Sequence, residues 1–259
     1  MKNFESIEKY SSSLTPSEFA KKITTKFLKH ADLFANAKNI EDYIPTNTTP
    51  IKQALWTFYT VQLDYAMRGQ TLYNGSLDLH HQTPQFFTPD YILNQTNQQL
   101  LQIITTYLKP RYPNEAIIRF QQNSHLIQQK YENNPLKIFS ETNSAKNTIK
   151  KIREFRGMGP KIGNLFFRAM TSHFKLEFPD LDDILQPVDV HDIRIARLLG
   201  FSNTHEKDPT ENNIDSIKKL WQEACQKAKV DWISFDQALW LLGSEGKPKT
   251  KEDIIKLID

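Results

Sequence analysis

The stretch REFRGMGPKIG, residues 153–163, joins two segments with helical patterns and decides how the rest of the chain is interpreted. We predict a first helix from about 145 to 155 and a second from about 160 to 173, opened by a proline. Gly157 and Gly159 permit a tight hairpin with positive φ between the two helices. Such a hairpin leaves amides at the start of the second helix free to bind a phosphate, helped by the helix dipole. The stretch therefore predicts a helix-hairpin-helix element.

Basic side chains surround this hairpin. Residues 146–168 hold seven basic residues and one acid, Glu154, a net charge of +6, whereas the whole chain of 259 residues carries +3. The basic residues are Lys146, Lys150, Lys151, Arg153, Arg156, Lys161 and Arg168. A solvated helix face explains such a run equally well. Beside a phosphate-binding hairpin, however, the charge favours a polyanionic partner.

Composition excludes several classes of protein. Hydrophobic residues make up 39% and charged residues 24%, which is typical of a globular domain. The longest apolar runs, such as residues 238–242, fall far short of the roughly 20 residues that span a bilayer. Residues 1–6 lack the apolar stretch of a signal peptide, so we expect a cytoplasmic protein. The single cysteine, Cys225, excludes an internal disulfide, a cysteine-built zinc site and a four-cysteine iron–sulfur cluster.

Helical patterns extend over most of the chain and predict an all-α fold. Helix starts with proline at the first position are expected at Pro16, Pro50, Pro89 and Pro113. Further amphipathic helices are expected over 216–229 and 234–242, and alternating strand pairs are not evident.

Two breaks, near residues 40–50 and 176–187, interrupt these patterns. We therefore predict two helical subdomains. The first is a central one over 46–175 that contains the hairpin, and the second is formed by residues 1–45 together with 176–259.

A second motif, Pro187-Val188-Asp189-Val190-His191, lies downstream of Gly157–Lys161. Together the two motifs resemble the helix-hairpin-helix DNA glycosylase superfamily, which includes endonuclease III and the 8-oxoguanine DNA glycosylases. Lys161 and Asp189 match the positions of the lysine and aspartate of bifunctional members. Their separation of 28 residues is nearer to the archaeal 8-oxoguanine (GO) glycosylases than to endonuclease III, so residues 174–186 would form an insertion. Residues 235–243 also resemble the last core helix of the family.

The resemblance implies a catalytic pair in the cleft between the subdomains. The Lys161 amine would displace the base and form a Schiff base with the opened sugar. Asp189, predicted as the N-cap of a helix over 190–199, would stabilise the cationic sugar. His191 is expected to hydrogen-bond a loop rather than to act in catalysis. The reaction needs no metal or other cofactor.

The resemblance also implies a set of DNA contacts. Gln62 matches the position whose side chain fills the gap left by a flipped base, although a solvent-facing helix glutamine fits the pattern as well. Trp221, Trp232 and Trp240 are expected in the core, with one of them possible as a stacking surface for the extruded base. The remaining predicted DNA contacts are Lys150, Lys151, Arg156, Gly157, Met158 and Gly159.

The function that follows is a bifunctional DNA glycosylase and AP lyase, a nucleoid-associated cytoplasmic monomer that acts on damaged duplex DNA. The expected substrate is 8-oxoguanine, since the missing cysteines argue against the iron–sulfur branches of the family. The lack of an N-terminal β-rich segment favours the compact archaeal type. Two alternatives stay open: a non-catalytic module that holds the DNA backbone for a partner, and a glycosidase of the same fold that acts on RNA or nucleosides.

Overall fold

The regular structure of this chain is helical. A computed structural model describes residues 14–65, 67–184, 186–205, 207 and 210–259, and within these ranges it contains thirteen α-helices and no β-strand. The predicted all-α fold is therefore confirmed. The helices are α1 Pro16–Leu28, α2 Pro50–Val61, α3 Gly69–Gln82, α4 Pro89–Leu93, α5 Asn97–Ile103, α6 Pro113–Tyr131, α7 Leu136–Ser140, α8 Ala145–Ile152, α9 Pro160–Phe174, α10 Val190–Leu198, α11 Glu211–Ala228, α12 Trp232–Leu241 and α13 Lys251–Ile258.

Side-chain caps set where several of these helices begin. Thr15 accepts a hydrogen bond from the Glu18 amide, and the Glu18 carboxylate accepts one from the Thr15 amide, which confirms the predicted start of α1. Helices α2, α4 and α6 also begin at their predicted prolines. Helix α11 begins five residues before its predicted start of 216, because Thr210 caps it by accepting the Asn213 amide.

The two ends of the chain pack against each other. Helix α1 contacts α11 and α12, and Phe19 of α1 lies between Trp221 and Phe235, with ring centroids 5.7 and 6.3 Å away. Trp221 and Trp232 are buried, as predicted for core residues. The division into two subdomains, with boundaries at 45 and 176, stays a prediction.

Helix α2 supports the hairpin from within the core. Phe58 contacts Phe155 of the hairpin at 5.0 Å and Phe166 of α9 at 5.6 Å between ring centroids. All three rings are buried, and truncating a buried phenylalanine to alanine costs about 3–5 kcal/mol of stability. The hairpin and the first part of α9 therefore pack against a buried cluster of three phenylalanine rings, which fixes where α9 begins.

Arg168 joins the predicted units instead of contributing to the basic surface. Its side chain is buried, with Nη1 2.7 Å from Asp236 Oδ2 and Nε 3.3 Å from Glu41 Oε1. Burial by itself lowers the pKa of the guanidinium, but the two carboxylates raise the pKa above its ordinary value. The +6 charge of residues 146–168 is thus smaller at the surface than the sequence indicates. None of the described helices is long and apolar enough to cross a membrane.

Candidate active site and nucleic-acid interface

The hairpin between α8 and α9 is tighter than predicted. Helix α8 ends at Ile152 and not near 155, because the amides of residues 154 and 155 donate three residues back, to Lys151 and Ile152. Gly157 has the predicted positive φ of +80°, and a Cβ there would lie 2.8 Å from the Arg119 side chain. Gly159 has φ −67°, so the predicted positive φ was wrong for this residue. A Cβ at Gly159 would meet no atom within 4 Å, which leaves space in front of α9.

The hairpin exposes backbone amides rather than side chains to a ligand. The Met158 side chain is only 1% exposed, and its amide donates to the Phe155 carbonyl at 3.1 Å. The Met158 side chain is therefore not free to contact DNA. Within the described chain the amides of Gly157 and Gly159 have no acceptor. These amides and the first turn of α9 are the groups suited to hold an anion.

Most of the predicted basic contacts form ion pairs. Lys151 pairs with Glu141 at 2.6 Å, and Arg156 makes two hydrogen bonds to Glu115, at 2.9 and 3.0 Å. Lys150 is exposed and has no ion-pair partner within the described ranges. Exposed pairs of this kind are weak, so they reduce a phosphate contact without preventing it.

Asp189 is held at the start of α10, as predicted. Its Oδ1 accepts hydrogen bonds from the amides of His191 at 2.7 Å and Asp192 at 3.4 Å. The Asp192 carboxylate accepts the Asp189 amide in return, at 2.6 Å. Two amide donors fix the direction of the Asp189 carboxylate. The predicted N-cap role is confirmed.

Lys161 meets Asp189 at this point. Its Nζ lies 3.9 Å from Asp189 Oδ2, and the two side chains are 46% and 12% exposed. The fold thus brings the sequence-predicted pair together, with the amine open to an incoming molecule and the carboxylate largely enclosed. A lysine amine in this setting can act as a nucleophile once it loses its proton.

His191 is part of the support for α10. Its Nδ1 lies 3.2 Å from the Arg194 guanidinium, which donates to the Gly243 carbonyl at 2.6 Å. A Cβ on Gly243 would lie 2.5 Å from the His191 Cβ, so the glycine allows this close packing. Burial lowers the pKa of His191 below its ordinary value. The predicted bond from His191 to a loop is replaced by this contact with its own helix.

A cleft, called the cavity below, opens beside Lys161 and Asp189. Its lining comes from segments on both sides of the predicted subdomain boundary. Two aromatic side chains, Tyr73 and Trp240, and one amide, Asn39, contribute to it. Its acidic residues are Asp64, Asp189, Asp192 and Asp236. The cavity therefore offers both aromatic and polar walls to a ligand.

Burial changes the pKa of Asp64, Asp192 and Asp236 in this cavity. It raises the pKa of Asp236 to about 6 despite the bond to Arg168, and raises the pKa of Asp192 well above its ordinary range. Burial also raises the pKa of Asp64, whose Oδ2 accepts a hydrogen bond from the Tyr73 hydroxyl. Perturbed carboxyl groups gathered in one cleft are typical of functional sites.

Gln62 does not lie where the resemblance placed it. Its side chain is 0% exposed, donates from Nε2 to the Phe58 carbonyl at 3.0 Å and accepts from Asn123 at 2.7 Å. A side chain bonded inside the core cannot fill a gap in a duplex, so the structure contradicts this prediction. Among the described residues, Tyr65 and Tyr112 are exposed aromatic residues that border one surface cleft, at 52% and 51% exposure.

Sequence reasoning missed several residues of the cavity. Asn39, Asp64 and Tyr73 come from three segments without a shared motif, so no spacing pattern joins them. Trp240 is the cavity residue that the sequence did indicate, since it lies in the predicted last core helix and was one of three tryptophans considered for stacking. It is the one of the three that borders the cavity.

The predicted insertion, residues 174–186, is tied to the hairpin element. The Asp180 carboxylate accepts hydrogen bonds from the Ser144 hydroxyl at 2.7 Å and from the amides of Ala145 and Lys146 at 2.6 and 3.2 Å. These bonds satisfy the open amino terminus of α8. The segment therefore orients α8 as well as connecting α9 to α10.

Comparisons with known proteins identify the fold. No protein-family model matches the chain, and a search of curated proteins by sequence gives no match. A crystal structure of Methanocaldococcus jannaschii 8-oxoguanine glycosylase/lyase with a 15mer DNA containing 8-oxoguanine is similar, with a TM-score of 0.59 and 13% identity over 87% of this chain and 97% of that one. A structure of Methanocaldococcus jannaschii 8-oxoguanine DNA glycosylase gives a TM-score of 0.57 and 12% identity, over 86% and 92% of the two chains. The chain thus has the all-helical fold of these glycosylases.

Proposed function

We propose that this protein is a DNA glycosylase with AP lyase activity that removes an oxidised base from duplex DNA. The observation that carries the proposal is the Lys161–Asp189 pair at 3.9 Å, which borders a cavity with aromatic and polar walls, with Lys161 directly after the glycine hairpin. A phosphate held at Gly157 and Gly159 would place the neighbouring sugar close to the Lys161 amine.

The chemistry assigns one role to each member of the pair. The unprotonated Lys161 amine attacks the anomeric carbon of the sugar, and the bond to the base breaks. Asp189, fixed by two amides, stabilises the positive charge that develops on the sugar. Opening of the sugar then gives a Schiff base, from which the lyase step cleaves the strand. A stacked base is out of reach of the amine, so the nucleotide must rotate into the cavity.

The cavity supports 8-oxoguanine as the substrate. Tyr73 and Trp240 provide aromatic surface for a flat base. Asn39 lines the cavity, and its buried Oδ1 accepts no hydrogen bond from the described residues, since the Asp42 amide donates to the Asn39 carbonyl instead, at 3.1 Å. 8-Oxoguanine carries a proton on N7, where guanine has only an acceptor. A buried acceptor that guanine leaves unpaired discriminates against guanine by about 1–3 kcal/mol.

A panel of duplexes tests the proposal. Each contains one of 8-oxoguanine, thymine glycol, uracil or an alkylated purine, and each is incubated with and without sodium borohydride. We expect strand cleavage and a trapped covalent adduct with the 8-oxoguanine duplex. Cleavage of another member with 8-oxoguanine untouched refutes the substrate but retains the lysine chemistry. Binding without any adduct or excision identifies the non-catalytic module, and activity confined to RNA or nucleosides identifies the third alternative.

A further inference from the structure

Two carboxyl groups border the cavity from different elements and in different surroundings. Asp189 lies at the start of α10, where two amides donate to its Oδ1. Asp64 follows α2 in a turn closed by the bond from its amide to the Val61 carbonyl, at 3.0 Å. The Tyr73 hydroxyl donates to Asp64 Oδ2, while Asp64 Oδ1 has no partner within the described residues. Enzymes that cleave glycosidic bonds commonly use such a pair, one group as acid and the other as anion.

The other three acids of the cavity each hold part of the fold or face Lys161. Asp192 accepts the Asp189 amide at 2.6 Å, and Asp236 binds Arg168 at 2.7 Å. Asp189 turns its Oδ2 toward the Lys161 amine, 3.9 Å away. Of the four cavity carboxyls, Asp64 is the one bonded neither to a helix-capping amide nor to the buried Arg168, and its hydrogen-bond partner among the described residues is the Tyr73 hydroxyl.

The surroundings of Asp64 favour its protonated form. Removal from water raises the pKa of its carboxyl, and the nearby Asp189 charge raises it further. The Tyr73 hydroxyl and the charge of Lys161 act in the opposite direction. A base seated in the cavity displaces more water and strengthens the first effect. The titratable and charged groups around Asp64 in this cavity are Tyr73, Lys161, Arg168, Asp189, Asp192 and Asp236.

We propose that Asp64 is the general acid that protonates the base as it leaves. This inference rests on the proposed glycosylase function. The Lys161 nitrogen forms a bond to the anomeric carbon, the bond from that carbon to the base breaks, and its electron pair passes to the base. The Asp64 proton goes to the base, which leaves neutral. The proton released from the new secondary ammonium of Lys161 returns to the Asp64 carboxylate, so no further reactant is needed.

An Asp64→Asn variant separates this role from a structural one. It is compared with wild type on an 8-oxoguanine duplex and on the same duplex with a preformed abasic site, under single-turnover conditions. Excision should fall by about 10²–10⁴-fold, the range of a general acid. Cleavage and borohydride trapping at the abasic site should be unchanged, because no base remains to be protonated. Asp90→Asn, an exposed aspartate on α4, is the control and should match wild type in both assays.

A Tyr73→Phe variant provides a measurement that would not change if Asp64 had only a structural role. Loss of the hydroxyl removes a hydrogen bond that lowers the pKa of Asp64, so the acid stays protonated to higher pH. The upper limb of the pH–rate profile for excision should shift to higher pH in Tyr73→Phe. The same limb should be absent from the residual activity of Asp64→Asn.

The outcomes are distinct. Unchanged excision by Asp64→Asn overturns the assignment, as does an equal loss of excision and abasic-site cleavage. An upper pH limb that stays in place in both variants also overturns it. A wild-type protein that excises none of the panel bases refutes the glycosylase function and this inference together. If wild type excises a different panel base, the same comparison on that base tests Asp64 while only the substrate assignment fails.

Discussion

Lys161 Nζ and Asp189 Oδ2 lie 3.9 Å apart, although 28 residues separate them in the chain. Lys161 lies in the first turn of α9, and Asp189 is the N-cap of α10. Helix starts are rigid and present their side chains at a fixed angle, so the distance depends on how α9 and α10 are packed. This relationship makes the pair a single unit that can act on one sugar.

Lys161→Gln should abolish base excision and borohydride trapping while DNA binding remains, because the amide cannot form a Schiff base. The measurements are strand cleavage on an 8-oxoguanine duplex and fluorescence anisotropy on the same DNA. Lys227→Gln, an exposed lysine on α11, serves as control. Full excision by Lys161→Gln would remove this lysine from the mechanism.

Asp189→Asn should slow excision by about 10²–10³-fold, since the amide keeps the capping bonds but loses the charge that stabilises the sugar cation. Thermal unfolding should change little. Asp231→Asn provides a matched control, because Asp231 caps α12 by accepting the Ser234 amide at 2.7 Å. Unfolding of Asp189→Asn, or full activity, would leave this aspartate as a cap alone.

Asn39→Ala should lower kcat/KM for 8-oxoguanine by about tenfold to a hundredfold, because the cavity loses the unpaired acceptor proposed for N7–H. Lysine chemistry at a preformed abasic site should be retained. Equal activity of Asn39→Ala and wild type on 8-oxoguanine would show that another group reads N7.

Lys150→Gln should weaken binding to damaged and undamaged duplexes equally, because phosphate contacts carry no base information. The slope of log Kd against log salt should fall by about 0.9, the amount expected when one phosphate is no longer neutralised. Lys151→Gln should have a smaller effect, since Lys151 is paired with Glu141 at 2.6 Å. Weaker binding confined to one lesion would indicate that Lys150 contacts the base.

Arg168→Met should destabilise the protein by about 3–5 kcal/mol, because it leaves the buried carboxylates of Glu41 and Asp236 without their partner. Denaturant unfolding measures this loss. Replacing a surface arginine, as in Arg111→Met, should change stability far less. If the two variants unfold at the same denaturant concentration, the buried network does not hold the units together.

Much of the fold was predictable because its signals are local. Thr15 and Thr49, each followed by proline, cap helices through bonds that close within three residues. The positive φ of Gly157 and the capping by Asp189 are likewise decided by neighbours in the chain. The motif around residues 153–163 and the downstream Asp189 are therefore sufficient to predict the hairpin and the candidate pair.

Tertiary packing decided what lies around that pair. Gln62 has the sequence pattern of an exposed helix residue, yet Asn123 and Phe58 bond it inside the core. Arg168 belongs to a basic run, yet buried carboxylates from distant segments hold it. Asn39, Asp64, Tyr73 and Trp240 meet only because four segments converge on one cavity. Burial and long-range hydrogen bonds depend on how separate helices come together, and spacing along one chain does not record that arrangement.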